Sequence, residues 1–145
     1  MNRRGFSFIE LLVAMTIIGI LANIAIPIIR NVKVKAEATQ IIGDINVIRT
    51  AAYDYYAAHQ AFPEGGAWGT PPRAMVPSLP NGFSFRRGDT QYVWIGLNET
   101  QSRVLGRTAI IGAQVARPEL LNAVKGSYRG DWIFGLGNLL IVFLD

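Results

Sequence analysis

The residue of this chain whose chemistry most clearly demands a partner is Glu10, because its carboxylate stands inside an apolar run. Between residues 6 and 29 every residue is apolar, Gly or Pro except Glu10 and three uncharged polar residues: Ser7, Thr16 and Asn23. A charged carboxylate costs about 2.5 to 3.5 kcal/mol at the centre of a bilayer and less near its interface. Glu10 is therefore expected to have a partner of opposite charge.

The residue types that usually carry catalysis or bind metals are scarce. One His and no Cys leave no zinc site of the usual kind and no Cys nucleophile. Gly135 and Gly137 lack the third Gly and the following helix of a phosphate loop, so they indicate a turn. The acids of the carboxyl-terminal part are scattered without ligand spacing: Asp89, Glu99, Asp131 and Asp145. We predict no catalytic residue, no cofactor and no metal site, and we expect His59 to be a surface or capping residue.

The apolar run is long enough to cross a membrane. At about 1.5 Å per residue, residues 6–29 make a helix of about 36 Å, whereas the hydrocarbon core of a bilayer is about 30 Å thick. A cleaved secretory signal is disfavoured, because the run is too long and residues 22–25 offer no small-x-small cleavage pair. A plain signal anchor explains the run, but not Glu10 or the abrupt Gly5–Phe6 junction.

The stretch Arg4–Val13, with Gly19 and Pro27 further on, resembles the type III signal of type IV pilins and type II secretion pseudopilins. The pattern is specific because a small residue, an aromatic residue, an acid and a long apolar run must follow one another in fixed register. Beyond Gln40 the likeness is one of architecture, although Lys35–Pro63 is faintly similar to the major secretion pseudopilins. The resemblance implies a cytoplasmic leader and a domain on the other side of the membrane.

The resemblance also implies roles for single residues. A prepilin peptidase would cut between Gly5 and Phe6, since a residue without a side chain can lie extended in a tight cleft, and it would methylate the new amine of Phe6. Glu10 would act in assembly by neutralising that amine on a neighbouring subunit. Pairing within one chain is the alternative, because Phe6 and Glu10 are four apart on one helix. Gly19 and Pro27 mark the segment expected to kink or melt on assembly, and a static proline kink is the alternative.

The function implied is that of a structural subunit of a pilus-like filament or secretion pseudopilus, and not of an enzyme. Its partners would be further copies of itself, prepilin peptidase, an inner-membrane assembly platform with minor pilins, and membrane lipid before assembly. It would start as a single-pass inner-membrane precursor and end in a periplasmic or cell-surface filament. Two alternatives stay open: a DNA-uptake pseudopilin, and a membrane-anchored extracytoplasmic binding module that does not polymerise.

The net charge and the absence of cysteine narrow the possible partners of the extracytoplasmic domain and the ways in which it can be stabilised. The formal charge of +4 falls to +2 once Arg3 and Arg4 are removed, so no nucleic-acid partner is expected. Without Cys, no disulfide can staple the domain, and its core must hold it together, with or without neighbouring subunits. Many pilins carry a carboxyl-terminal disulfide loop, so its absence favours a pseudopilin or a disulfide-free pilin.

We predict an α+β fold in which a long amino-terminal helix packs on a small antiparallel sheet. The expected segments are a leader (1–5), the membrane or filament-core half of the helix (6–29), its amphipathic half (30–60), a Pro/Gly-rich loop (61–82) and a sheet domain (83–145). The amphipathic half has apolar positions at alternating steps of four and three: Val34, Ala38, Ile41, Ile45, Ile48, Ala52 and Tyr55. Asp44 is assigned to the polar side, and Gly43 to close packing.

Beyond the loop, which Phe62 and Trp68 are expected to fold back onto the domain, the pattern predicts short strands and one helix. The strands are residues 83–87 and 91–97, joined by a hairpin turn at 88–90, then 103–105, 108–115, 132–134 and 139–144. A helix is expected over 118–124, with Gly126 as its stop. The last strand is apolar on both faces, so its outer face should meet another layer or a neighbouring subunit. Residues 98–100 match a glycosylation triplet, to which we assign no role.

Overall fold

The computed structural model describes residues 6–128 and 133–144. The described helices are α1 (Phe8–His59), α2 (Glu99–Leu105) and α3 (Pro118–Ser127), with one 3-10 turn at Val76–Ser78. The described strands are β1 (Arg86–Arg87), β2 (Thr90–Gly96), β3 (Ala109–Val115), β4 (Ile133–Leu136) and β5 (Leu139–Leu144). The chain divides into two compact units between Val34 and Lys35, within α1. The leader with Gly5, and Trp132 of the predicted strand 132–134, lie outside the described residues.

The first unit is the apolar part of α1. Every large apolar side chain from Phe6 to Val32 is at least 49% exposed, so none of them belongs to a core within the chain. The most apolar window of α1 has a mean hydropathy of 2.5, and none of it is buried. By length and composition this part of the helix can cross a membrane.

The second unit contains a five-stranded sheet with the order β1-β2-β3-β5-β4, in which all paired strands are antiparallel. The predicted hairpin is confirmed: β1 and β2 pair Arg87 with Thr90 around a turn in which Gly88 has a φ of +54°. The left-handed φ suits glycine, which has no Cβ to clash. The predicted α+β class, with a long helix and a small antiparallel sheet, is confirmed.

The core of this unit joins one stripe of α1 to one face of the sheet. Five of the predicted apolar positions are buried: Ala38, Ile41, Ile45, Ile48 and Ala52. On the sheet, buried residues of β2, β3 and β5 match across the strands, as in the row Trp94, Ile111 and Val142. Burying each large side chain contributes about 1.5 to 3 kcal/mol, so this face secures the unit without a disulfide.

The outer face of the sheet is also apolar but only partly covered. Trp68, from the Pro/Gly-rich loop, lies over Gly112: its Cη2 is 3.3 Å from where a Cβ of that glycine would be. The expectation that Trp68 folds the loop back onto the domain is thus met. In β5 the outer residues Leu139, Ile141 and Phe143 remain half-buried, so the covering layer is incomplete in the described part of the subunit.

Four predictions about secondary structure are wrong in detail. The strand predicted over 83–87 forms only at Arg86–Arg87. Residues 103–105, predicted as a strand, form the end of α2. α3 runs past Gly126 to Ser127, because Gly126 does not adopt the left-handed φ with which a glycine ends a helix. The Pro/Gly-rich loop, predicted to be irregular throughout, contains the 3-10 turn at Val76–Ser78, which starts beside Pro77.

Gly43 does not have the close packing predicted for it within the subunit. It is exposed on α1, and a Cβ added there would meet nothing within 4 Å. We therefore expect Gly43→Ala to raise the free energy of unfolding by about 1 kcal/mol, since Gly is that much worse than Ala inside a helix. Thermal unfolding of the full chain in detergent would measure this as a rise in Tm of several degrees.

The matched control for Gly43→Ala is Gly96→Ala. A Cβ at Gly96 would stand 2.4 Å from the carbonyl oxygen of Pro63, so this variant should be less stable than wild type. A loss of stability in Gly43→Ala would mean that this face of α1 is already occupied in the subunit.

Candidate functional site

The carboxylate of Glu10 is held at the start of α1. The Ser7 amide donates a hydrogen bond to Glu10 Oε2 at 2.8 Å, and the Leu11 amide donates to the Ser7 carbonyl at 3.2 Å. The first amides of a helix lack intrahelical acceptors, and a negative charge is favourable at this end of the helix dipole. Glu10 thus caps its own helix, a role that the spacing Ser7-x-x-Glu10 could have indicated.

The cap leaves Glu10 with acceptor capacity. An ionised carboxylate has about four lone-pair sites, and the described residues occupy one of them. Phe6 precedes α1 and has a 91% exposed side chain, so the predicted terminus and the predicted acid lie at the same end of the helix. This end of the chain can therefore bind a cation supplied by another group. Gly5, the other half of the predicted cleavage site, lies outside the described residues.

Gly19 and Pro27 bracket a weak part of the apolar helix. The Asn23 side-chain amide donates to the Gly19 carbonyl at 3.0 Å, a bond that competes with the backbone ladder. Pro27 lies inside α1 and supplies no amide for the ladder. α1 continues through both residues. The kink expected between them stays a prediction.

Sequence reasoning missed a buried charged cluster formed by Asp44, Arg87 and Tyr92. Asp44 was assigned to the polar side of α1, but it is only 5% exposed. Its Oδ2 accepts from Arg87 Nε at 2.5 Å and from the Tyr92 hydroxyl at 2.8 Å, and its Oδ1 accepts from Arg87 Nη2 at 2.8 Å. The two-pronged contact ties α1 to the β1–β2 hairpin, while half of the Arg87 side chain stays in solvent.

The cluster changes the acidity of its members. Burial, together with the hydrogen bond to Asp44, raises the pKa of the Tyr92 hydroxyl. The hydrogen bond and charge of Asp44 raise the pKa of the Arg87 guanidinium. Two further contacts link α1 to the sheet side: Arg117 Nη2 with Glu37, and Arg49 Nη2 with the Tyr128 hydroxyl at 2.6 Å.

The raised pKa of Tyr92 predicts alkaline sensitivity. The folded state keeps the hydroxyl protonated above about pH 10, where an unfolded tyrosine ionises, so stability should fall as pH rises beyond that value. The loss should approach about 1.4 kcal/mol per pH unit. Denaturant unfolding at pH 8 to 11 would measure it, with Tyr92→Phe as the comparison. Equal slopes in the two proteins would contradict the prediction.

The remaining polar candidates form no cluster in the part of the chain that the structure describes. His59 ends α1 and stacks on Tyr55 with ring centroids 4.0 Å apart, at the surface position expected for it. Among the described residues no three His, Cys, Asp or Glu side chains come together. Asp131 and Asp145 lie outside the described residues.

Comparison with known proteins finds a family motif at the amino-terminal end and several similar proteins. A family profile described as "Prokaryotic N-terminal methylation motif" matches residues 1–25. The fimbrial protein EcpB of Eikenella corrodens is 27% identical over 126 residues, which is 86% of this chain and 70% of that protein. No solved structure matches the chain.

Two other relatives match over shorter stretches. A fimbrial protein of Pseudomonas aeruginosa is 38% identical over 50 residues, 34% of this chain and 32% of that protein. The type II secretion system core protein G of Klebsiella michiganensis is 31% identical over 62 residues, 43% of this chain and 44% of that protein. The chain thus spans less than half the length of these two relatives. In its amino-terminal methylation motif the chain is thus similar to the fimbrial and type II secretion proteins that it matches, and its long apolar helix and small antiparallel sheet agree with the pilin-like fold predicted for it.

Proposed function

We propose that this chain is a structural subunit of a pilus-like filament, anchored in the inner membrane before assembly. The observation that carries the proposal is a methylation motif that runs directly into an apolar helix whose side chains find no cover within the chain. Such a helix needs either lipid or other helices around it. A filament core of packed helices supplies the second environment.

The first step in this proposal is processing of the precursor. Prepilin peptidase cuts between Gly5 and Phe6 and methylates the new amine of Phe6. The reaction makes the chain a substrate and not an enzyme, in agreement with relatives that are named as fimbrial and secretion-system proteins. It leaves 140 residues, 145 minus the leader of 5.

The second step is assembly through Glu10. The Phe6 amine of an incoming subunit binds the Glu10 carboxylate of a neighbour, which offsets the desolvation of both charges and sets the register between helices. The two partners use different surfaces, so the contact propagates along a filament and does not close into a dimer. Glu10 keeps its bond to the Ser7 amide while it accepts the amine.

Lateral cohesion comes from the exposed apolar side chains, here assigned to Phe6, Phe8, Leu11, Leu12, Ile17, Ile18 and Leu21. The sheet domain lies outside the cytoplasm, and an inner-membrane platform with minor pilins adds subunits at the base. Cell-surface pili and secretion pseudopili are both filaments of this kind, and the relatives are named as a fimbrial protein and a type II secretion system core protein.

The test is to shear cells that make this protein, image the sheared fraction and weigh its subunit by mass spectrometry. We expect filaments whose subunit begins at a methylated Phe6. A subunit that begins at Met1, or a chain that stays single in the membrane at any concentration, would contradict the proposal. The second result would instead support a tethered module that does not polymerise.

A further inference from the structure

A groove of about 720 Å³ opens beside the carboxyl-terminal end of α1. One wall carries the aromatic rings of Tyr56 and Phe62, and the other is formed by the start of α2 with Asn98 and Gln101. The volume falls in the range of about 300 to 1,000 Å³ typical of binding sites, and such sites combine aromatic walls with a few polar groups.

The aromatic wall is fixed by contacts behind it. The Phe62 ring lies 4.8 Å from that of Tyr56 and 5.8 Å from that of Trp94, centroid to centroid. Trp94 Nε1 donates to the Pro63 carbonyl at 2.8 Å, which ties the loop to β2. This close approach needs a glycine at position 96, because a Cβ there would stand 2.4 Å from the same carbonyl oxygen.

The opposite wall is fixed by the cap of α2. The Asn98 side chain accepts from the Gln101 amide at 2.8 Å, and the Gln101 side chain accepts from the Asn98 amide at 3.2 Å. Gly106 ends the helix in the left-handed conformation. With both walls held in place, a partner loses little free energy to ordering the groove.

The charge of the groove selects a cationic partner. Glu64 and Glu99 line it, and none of its lining residues is Lys, Arg or His. Neither carboxylate has a hydrogen-bond or ion-pair partner among the described residues. The face of an exposed tyrosine such as Tyr56 adds attraction for a cation. Two carboxylates beside an aromatic wall fit two neighbouring basic side chains.

The chain itself supplies such a pair in Arg30 and Lys33. They are exposed, they lie three residues apart on one face of α1, and neither has an acidic partner among the described residues. Glu37, four residues beyond Lys33, is engaged by Arg117 instead. Like charges at this spacing repel each other, and positive charges beyond a membrane span oppose the usual orientation preference. An acidic partner would relieve the repulsion between the two side chains.

We propose that the groove of one subunit binds Arg30 and Lys33 of a second copy of this chain. The inference rests on the proposed filament function and assigns one of its subunit contacts. Because groove and basic pair are different surfaces, the contact is head-to-tail and can repeat without limit. It would act alongside the contact at Glu10 and through a separate part of the molecule.

The absence of Cys makes a direct test possible, because an engineered pair of cysteines has no competitor in the chain. Full-length Lys33→Cys/Glu99→Cys, assembled into filaments and treated with a bifunctional thiol-reactive cross-linker that spans a Lys–Glu pair, should give a ladder of dimers, trimers and longer products. A direct disulfide is not the readout, because it needs the two Cα atoms closer together than an ion pair of long side chains holds them. Each single variant should give none. Lys35→Cys/Glu99→Cys is the matched control, because Lys35 points to another side of α1.

Exchanging the charges of the groove and of the basic pair provides a second test of the contact. Glu64→Lys/Glu99→Lys and Arg30→Glu/Lys33→Glu should each lower filament yield about tenfold, and the combination of all four should restore it. Filaments without a ladder, or a combination that restores nothing, would overturn the contact and leave the filament function standing. A wild-type chain that forms no filament would overturn both.

The rival partner for the basic pair is the phosphate of anionic lipid. Binding of the precursor to vesicles of phosphatidylglycerol, compared with vesicles of phosphatidylcholine, tests it. If Arg30→Glu/Lys33→Glu loses vesicle binding while its filament yield is unchanged, the contact between copies is wrong and the lipid assignment replaces it.

Discussion

Replacing Glu10 with glutamine is expected to leave amino-terminal cleavage intact and to lower filament yield at least about tenfold. The substitution separates the two roles of this side chain. Glutamine keeps a carbonyl that can accept from the Ser7 amide, so the helix cap survives. It removes the negative charge that would neutralise the Phe6 amine of a neighbour. An unpaired charge buried among helices costs several kcal/mol, and about 1.4 kcal/mol corresponds to a factor of ten.

Two further variants serve as comparisons for this experiment. Glu10→Ala removes the cap and the charge together, and it should assemble no better than the glutamine variant. Gly5→Leu should block the cut itself and leave the longer precursor, which a mass measurement distinguishes. If Glu10→Gln assembles like wild type while Glu10→Ala does not, Glu10 matters through its cap and charge pairing is excluded.

Asp44→Ala is expected to destabilise the sheet unit by about 2 to 3 kcal/mol. The substitution strips the buried Tyr92 hydroxyl of its acceptor, and an unsatisfied buried polar group costs about 1 to 3 kcal/mol. It also leaves Arg87 without its counter-ion, although water reaches half of that side chain and reduces this part of the loss. Denaturant unfolding of the full chain in detergent measures the difference.

The matched control is Glu37→Ala, at another ion pair that α1 makes in the second unit. Arg117 and Glu37 are both partly exposed, and pairs of this kind contribute about 0.2 to 1 kcal/mol. A double-mutant cycle of Asp44→Ala with Arg87→Ala isolates the pair itself. Equal losses from Asp44→Ala and Glu37→Ala would show that the burial of Asp44 adds nothing to the stability of the unit.

Much of the fold could be predicted because its signals lie in residues that are close together in sequence. The apolar stripe from Ala38 to Ala52 repeats with the period of a helix, and every residue of that stripe is buried. The hairpin turn at Gly88 and the strand Ala109–Val115 likewise depend on residues adjacent in sequence. These features were predicted because each one's signal lies within the element that it specifies.

The element α2, which was predicted wrongly in part, also carries local signals, but they lie at its two ends. α2 begins with a capping box at Asn98 and Gln101 and ends at Gly106, yet its Arg103-Val104-Leu105 end looked like a strand. The cap was taken for a glycosylation triplet of no consequence. In α2 the capping residues at the two ends indicate a helix, whereas the residues between them suggest a strand. A helix of seven residues is too short to show a helical repeat of apolar positions.

The sequence by itself determined the amino-terminal half of this protein: an acid at fixed distance from a Gly-Phe junction, inside an apolar helix long enough for a membrane. Only the tertiary structure decided that Asp44 is buried and that the groove between Phe62 and Gln101 exists. The reason is sequence separation. Asp44 meets Arg87 and Tyr92 across 43 and 48 residues, and no period along α1 encodes which side chain the sheet will bring to it.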